Sequence, residues 1–466
     1  MRSVSRTKSK AVASVGALAA GALLLAACTG GGDEGGGDVE TVGDNPQSIK
    51  VLVSSGHQQF APLWERLDEF TDETGIEVEL EQVATTDIQT KVTQDLQAGG
   101  CTYDNVEMLD KAMAALAPLM APLDPFIESE GQSMDDFRSE YVDWAIGSHT
   151  FDDSLRYYPF YSGARAIGYR VDLLENPDNQ AAFEAEYGYD FPLPPQTPDE
   201  LLDLAEFFTD GETYGLVASG AGDPAETFLA DMIFRNGVPG YVDADNNSLW
   251  GSENPDNTAR VQEVAEWVEA ALRDRAVMPT EQMASMGTTE TLAFYTSGQA
   301  AMVNDLIYLQ WADFQTDAVT SVIGETGSFE IPSFDGESGG ITFFWGRGIP
   351  ECSDAQAESW EFMKWVMSES NQQLALSEGD GVYVPTNIEL LDWAVQEGVL
   401  PVGVADSVTN ASQYSQSIAN GQITLSVHRP LVEDLVAGRL TPAEYAETSG
   451  ADIQQTLFDL GLTQIE

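Results

Sequence analysis

The chain has 466 residues, 43% of them hydrophobic, with 77 acidic against 20 basic side chains and a formal net charge of −57 at pH 7. That length suggests two or three domains with more than one apolar core, and acids spread along the whole chain exclude nucleic acid as a partner, because its phosphates would be repelled. So much like charge destabilises a compact state unless salt screens it, as a Debye length of about 3 Å at molar salt does, so the composition points to a halophilic source.

The first element reads as an export signal. Arg2, Arg6, Lys8 and Lys10 make a basic start, Ala11 to Ala27 an apolar run, and Leu25-Ala26-Ala27-Cys28 closes it with small residues before a cysteine, the residue that accepts a lipid. The run is too short and too rich in Ala and Gly for a permanent membrane span. The plainer alternative is an ordinary signal peptide ending beside a cysteine. The spacer argues against it, since Thr29 to Gly43 is almost all Gly, Asp, Glu and Val and behaves as a flexible leash. The expectation is a signal over 1–27, a tether over 28–45 with a lipid on Cys28, and a protein held at the extracytoplasmic face of the membrane. After Cys28 no apolar stretch reaches bilayer length, so the chain is anchored and not integral. Cys101 and Cys352 then remain as an even pair in an oxidising compartment, which predicts a disulfide; two free buried thiols are the alternative.

From Ser48 to about Trp144 strand and helix patterns alternate. Ile49 to Val53 is a short strand; Phe60, Leu63, Trp64, Leu67 and Phe70 recur at helical spacing, and Gly75 stops that helix. Ile76 to Leu80 alternates apolar with acidic residues as a half-exposed strand does, a helix follows over about 87–98, and Asp104 to Leu109 reads as a third strand. This is an α/β grammar, which places ligands at the carboxyl ends of strands. Further on, Thr197-Pro198-Asp199-Glu200, Thr441-Pro442-Ala443-Glu444 and Ser353-Asp354-Ala355-Gln356 read as capping boxes. The stripes Leu201, Leu204, Ala205, Phe208 and Ala357, Trp360, Met363, Met367 read as core.

The order of segments resembles the extracellular solute-binding proteins of ABC importers, of the type that binds sugars. The resemblance rests on Phe70-Thr71-Asp72-Glu73-Thr74-Gly75-Ile76-Glu77-Val78; on Tyr103-Asp104-Asn105-Val106 leading to Asp110; and on Pro122-Leu123-Asp124. It continues through Tyr158-Pro159-Phe160-Tyr161-Ser162-Gly163, Gly168 to Leu174, Pro195 to Leu202 and Tyr214-Gly215-Leu216. Ser297-Gly298-Gln299-Ala300-Ala301-Met302, Gly339-Gly340 through Trp345-Gly346 to Ile349, and Ala357 to Val366 complete it. One departure is plain: Asn304-Asp305-Leu306-Ile307 stands where the family often has Gly-Pro-Trp, so a stacking aromatic is missing or displaced to Tyr308 or Trp311.

The resemblance implies a two-lobed fold of the periplasmic-binding-protein kind, with hinge crossings and a ligand cleft between lobes. One lobe would hold 46–159 and 345–400, the other 160–344 and 401–466. In such lobes the strand after the second crossing lies antiparallel to the third strand, which would bring Cys101 and Cys352 together at the edge far from the cleft. A sugar offers hydroxyls and apolar C–H faces, so its site needs carboxylates, amides and stacking rings. The candidates at strand ends and crossings are His57, Gln58, Asp110, Tyr161, Asn304, Asp305, Trp345 and Arg347. Other roles stand beside these. Asp110 would cap the following helix, Tyr161 and Trp345 would pack the hinge, and His57 would be satisfied locally. Arg347 would instead meet a carboxylate or phosphate of an anionic solute. Trp64 and Trp250 are further cleft aromatics, Trp64 fitting its helix core better.

The implied function is capture of a mono- or oligosaccharide for delivery to ABC permease transmembrane subunits, by a monomer without metal or cofactor. A polyol, phosphate ester or amino compound as solute is the alternative. A lipid-anchored hydrolase is the competing class, but no H-E-x-x-H occurs, and His57, His149 and His428 are isolated.

Overall fold

The computed structural model describes residues 41–43, 47–243, 245–314, 326–334, 339–340, 343–379, 382–412 and 417–463. The expected signal, the lipid acceptor Cys28 and the tether up to Glu40 lie outside the described residues.

Eleven strands occur among the described residues: β1 (Ile49–Ser54), β2 (Val78–Val83), β3 (Asn105–Leu109), β4 (Thr150–Phe151), β5 (Ser154–Leu155), β6 (Tyr158–Gly163), β7 (Ala166–Arg170), β8 (Tyr214–Ala218), β9 (Ala300–Asp305), β10 (Thr326–Phe329) and β11 (Phe343–Gly348). β1 is apolar along its length because both its faces are covered: Val51, Leu52 and Val53 are sealed from solvent. The helix Leu67–Thr74 ends where Gly75 takes a φ of 78°, a left-handed conformation that glycine adopts without steric cost, and turns the chain into β2. The helix expected from Phe60 onward is interrupted. A 3₁₀ turn over Gln58–Phe60 precedes Ala61–Trp64, and Pro62, which lacks an N–H, fits only in that first helical turn. Thr197 and Thr441 make the reciprocal bonds of capping boxes with Glu200 and Glu444. Ser353 does not cap, because its hydroxyl donates to Asp104 Oδ1 and accepts from the Ala355 N–H, so the helix there begins only at Gln356.

The strands form two main sheets, a five-stranded one ordered β2-β1-β3-β11-β6 and a four-stranded one ordered β10-β7-β9-β8. β1, β2 and β3 run parallel, as do β8 and β9, while β11 lies antiparallel to both β3 and β6. Helices cover the sheets, giving an α/β fold of two lobes. The chain passes between sheets at Ala164-Arg165, returns between β10 and β11, and crosses again between the helices Ile388–Gln396 and Val402–Thr409. β6 stays in the first sheet to Gly163 and β11 joins it from Phe343, so the first sheet extends a few residues past the 159 and 345 limits read from sequence. Cys101 and Cys352 are bonded, with Cα atoms 6.0 Å apart, tying the loop before β3 to the turn after β11.

Candidate functional site

Parallel strands aim their carboxyl ends the same way, and the β3–β11–β6 register sets Leu109, Trp345 and Tyr161 side by side at that end of the first sheet. The loop leaving β1 brings His57 against them. Its ring stands edge-on to Trp345, centroids 4.6 Å apart, and its two nitrogens lie 2.7 and 3.0 Å from the Tyr161 hydroxyl. Tyr161 and Trp345 are nearly coplanar in orientation, 14° apart with centroids at 6.0 Å. Three of the expected residues therefore form one cluster. It is well sealed: Trp345 is 3% and Tyr161 4% exposed, while the His57 side chain keeps 13%. Burial, with the Glu107 charge adding to it, pushes the Tyr161 hydroxyl well above the ordinary tyrosine value.

Behind the cluster is a residue that sequence reading missed. Glu107, on β3 and fully buried, forms a short hydrogen bond between Oε1 and His57 Nδ1. Arg347 sits opposite it in register, two residues deeper than Trp345, and this corrects the expectation of a solute contact. Arg347 has no exposure; Nε and Nη2 donate to Asn105 Oδ1 at 3.0 and 2.6 Å, and its guanidinium lies over the rings of Phe160 and Phe362. Burial draws it down to about 10, against the opposing pull of Glu107. An anionic solute has no route to it in this structure.

At the carboxyl end of β9 the two adjacent polar residues do different things. Asp305 accepts from the Ser219 hydroxyl, from Thr288 Oγ1 at 2.9 Å and from the Leu306 N–H at 2.8 Å, with Arg165 Nη1 3.3 Å away. Arg165 belongs to the crossing and also donates to Pro224 O at 2.5 Å and Asn304 O at 3.3 Å. Asp305 is thus committed to holding the crossing. Asn304 is equally buried, yet neither its amide oxygen nor its amide nitrogen has a partner among the described residues. Its hydrogen-bonding capacity is unspent, which a native fold rarely tolerates without a use for it.

The other candidates are placed as follows. Asp110 opens the helix Asp110–Leu116 and accepts from the Lys111 N–H at 2.6 Å, so it serves the helix start at the cleft end of β3. Gln58 is exposed and donates to Ser55 O at 2.6 Å. Trp250 is buried against Tyr241 and His428, and Trp64 packs on Phe60 and Phe362, so neither joins the His57–Tyr161–Trp345 cluster. Tyr308 is buried, with its hydroxyl beside Gly163 at the crossing; Trp311 is half-buried against Phe314.

A second cluster that sequence reading missed sits on the other lobe. Glu226 accepts from the Tyr241 hydroxyl at 2.5 Å and meets His428 Nδ1 at 3.0 Å, while His428 Nε2 lies 2.5 Å from the Tyr445 hydroxyl. Burial alone would raise the Glu226 carboxyl; the bonds and charge of His428, and the charge of Lys111 from the first lobe, reverse this and leave it below its ordinary value. Among the described residues no group of three or more His, Cys, Asp or Glu side chains could hold a metal ion. Nor is any helix there long and apolar enough to cross a membrane.

A family model described as bacterial extracellular solute-binding protein matches residues 54–373, from the last residue of β1 through β11 and the helix Gln356–Met367. The chain belongs to that family. Solute-binding proteins of this kind serve ABC importers outside the cytoplasm and are not enzymes, and that class holds for this chain. Solved structures share its fold. MalE, the sugar-binding protein of Xanthomonas citri, superposes with a TM-score of 0.71 at 15% identity, covering 89% of this chain and 98% of that one. The GacH receptor of Streptomyces glaucescens, solved unliganded and with acarbose, gives 0.66 at 17% identity over 89% and 99%. Maltose-bound MalE3 of T. maritima gives 0.65 at 18% identity over 88% and 99%.

Proposed function

We propose that this solute-binding protein captures a carbohydrate between its lobes and hands it to an ABC permease, working as a monomer held to the membrane by a lipid on Cys28. The observation that carries the carbohydrate reading is the pairing at the strand ends. An aromatic and hydrogen-bonding wall of His57, Tyr161 and Trp345 stands on the first lobe, and the buried, unpartnered amide of Asn304 on the second. Rings suit the C–H faces of a sugar, and an amide both donates to and accepts from hydroxyls. The fold relatives from T. maritima and S. glaucescens, solved with maltose and with acarbose, support the same class. Solute contacts made from both lobes at once favour the closed form by their differential affinity for it, and closure is what a permease can read.

The test is a thermal-shift and calorimetric screen of the protein in molar salt against sugars, polyols, amino acids and phosphates. One sugar class should raise the melting temperature saturably, a ligand at 100 times its Kd adding about 2.7 kcal/mol. Asn304→Ala should abolish that shift, and small-angle scattering should show contraction with the sugar. Binding confined to an anionic or amino solute would overturn the carbohydrate reading. For the anchor, Cys28→Ser should release the protein into the medium, and continued retention in the membrane fraction would overturn that part.

A further inference from the structure

Glu107 and Arg347 make a poor ion pair for the purpose of stability. Both are fully buried, their nearest charged atoms are 3.8 Å apart, and Glu107 Oε2 and Arg347 Nη1 have no hydrogen-bond partner among the described residues. Taking two charges out of water costs several kcal/mol per ion, and apolar residues of similar volume commonly serve a core as well or better. The pair therefore calls for a reason outside packing. Among the described residues the group hydrogen-bonded to the pair that reaches solvent is His57, whose side chain keeps 13% exposure.

The bonds have a direction. A carboxylate only accepts, so His57 Nδ1 must carry the ring proton that points at Glu107 Oε1. Nε2 is then a bare acceptor, and the Tyr161 hydroxyl, 2.7 Å from it and 3.0 Å from the committed Nδ1, is the donor that fills it. With its proton committed to Nε2, the Tyr161 oxygen is left with lone pairs alone. Donation runs one way, from Tyr161 to His57 to Glu107, and Arg347, fixed by two bonds to Asn105, holds the counter-charge behind it.

We propose that Glu107 is a positioning residue for solute capture: it fixes the His57 tautomer and ring plane so that the His57–Tyr161 edge presents an acceptor, selecting solutes that place a hydroxyl donor there over those offering only an ether or carbonyl oxygen. This deepens the carbohydrate reading of the same cleft and rests on it.

The experiment uses the full chain with 15N-labelled imidazoles, whose three histidines give three spin systems, and two variants, Glu107→Gln and the double variant Glu107→Met/Arg347→Met. The double variant removes both charges together and strands neither. In the native protein His57 should be locked with its proton on Nδ1; in the double variant the proton should move to Nε2 or exchange between the two nitrogens. Affinity for whichever of maltose, D-glucose and D-mannitol the native protein binds tightest should fall about tenfold in the double variant, the scale of losing one hydrogen bond, while its melting temperature stays level or rises. Glu107→Gln, whose amide either donates or accepts, should give mixed tautomers. A native His57 protonated on Nε2, or a tautomer unchanged in the double variant, overturns the proposal. So does affinity lost only in step with melting temperature, which is what a purely structural pair would give. If none of the three probes binds, the carbohydrate reading fails while the tautomer measurement still judges Glu107.

Discussion

His149 makes the fold sensitive to mild acid by an amount the structure allows to be worked out. It ends the helix Asp143–His149 with no exposure, packed on Phe344; Nδ1 donates to Ala145 O at 2.6 Å, and Nε2 faces Trp345 O at 3.4 Å. Burial penalises the imidazolium more than these carbonyls favour it, and lowers the pKa from 6.5 to about 4. The folded value is depressed, so the unfolded chain takes up the proton first as pH falls. Stability from this group is complete above about pH 6.5 and is lost on acidification, with a slope approaching 1.4 kcal/mol per pH unit between the two values. At pH 5 the loss should be about 2 kcal/mol, approaching about 3.4 kcal/mol below pH 4. Denaturant unfolding of the native protein and of His149→Gln at pH 7.5 and 5.0, in molar salt, checks this. Carboxylates titrate alike in both proteins and cancel in the difference, so the native protein should lose about 2 kcal/mol more than the variant. Equal losses would refute the reasoning, since they would mean that His149 takes up its proton in the folded state at an ordinary pKa.

Three further outcomes are expected. Replacing both Cys101 and Cys352 by serine frees a link spanning 251 positions and should cost about 2–4 kcal/mol of unfolding free energy, read from denaturant titration; an unchanged midpoint would show that the bridge is dispensable. Gly346→Ala would place a Cβ 2.7 Å from His149 Cδ2 and from Tyr157 Cβ, and should destabilise by about 1–3 kcal/mol; an unaltered melting curve would mean that β11 shifts at no cost. With a net charge of −57 the melting temperature should climb steeply from 0.1 to 2 M KCl, and a flat response would show that self-repulsion does not limit this fold.

The residues at the ends of elements were the readable ones. His57 follows β1 directly, and Tyr161 and Trp345 lie on strands whose ends the chain order placed at a crossing, so their convergence needed little beyond strand direction. The caps at Thr197 and Thr441 are local chemistry and were equally legible. Arg347 misled because pairing register, which no single strand's pattern records, put it two residues below the cleft end. Glu107 was hidden among 77 acids, although an acid inside the otherwise apolar run Val106 to Leu109 was a signal in itself. Ser353 looked like a cap until its hydroxyl found Asp104, a partner 249 positions away.

The division of labour at the crossing indicates where the lobes hinge. Arg165 is tied to the second lobe three times over, through Asp305, Asn304 O and Pro224 O, so it moves with β7 and β9. β6 is tied equally firmly to β11 as far as Gly163. That leaves Ala164 between the two anchored stretches at this crossing, and Gly163 before it has no room for a side chain, since a Cβ would strike the Phe343 ring and the Tyr308 hydroxyl. The lobes also meet away from this crossing. The Trp144 indole donates to Val408 O at 2.8 Å, and Lys111 lends its charge to Glu226. Glu226 keeps Tyr241 and His428 whether the lobes are open or shut, because both are on its own lobe. A solute bridging His57 and Asn304 would add contacts from both lobes, and it favours the closed form only by its differential affinity for the two forms.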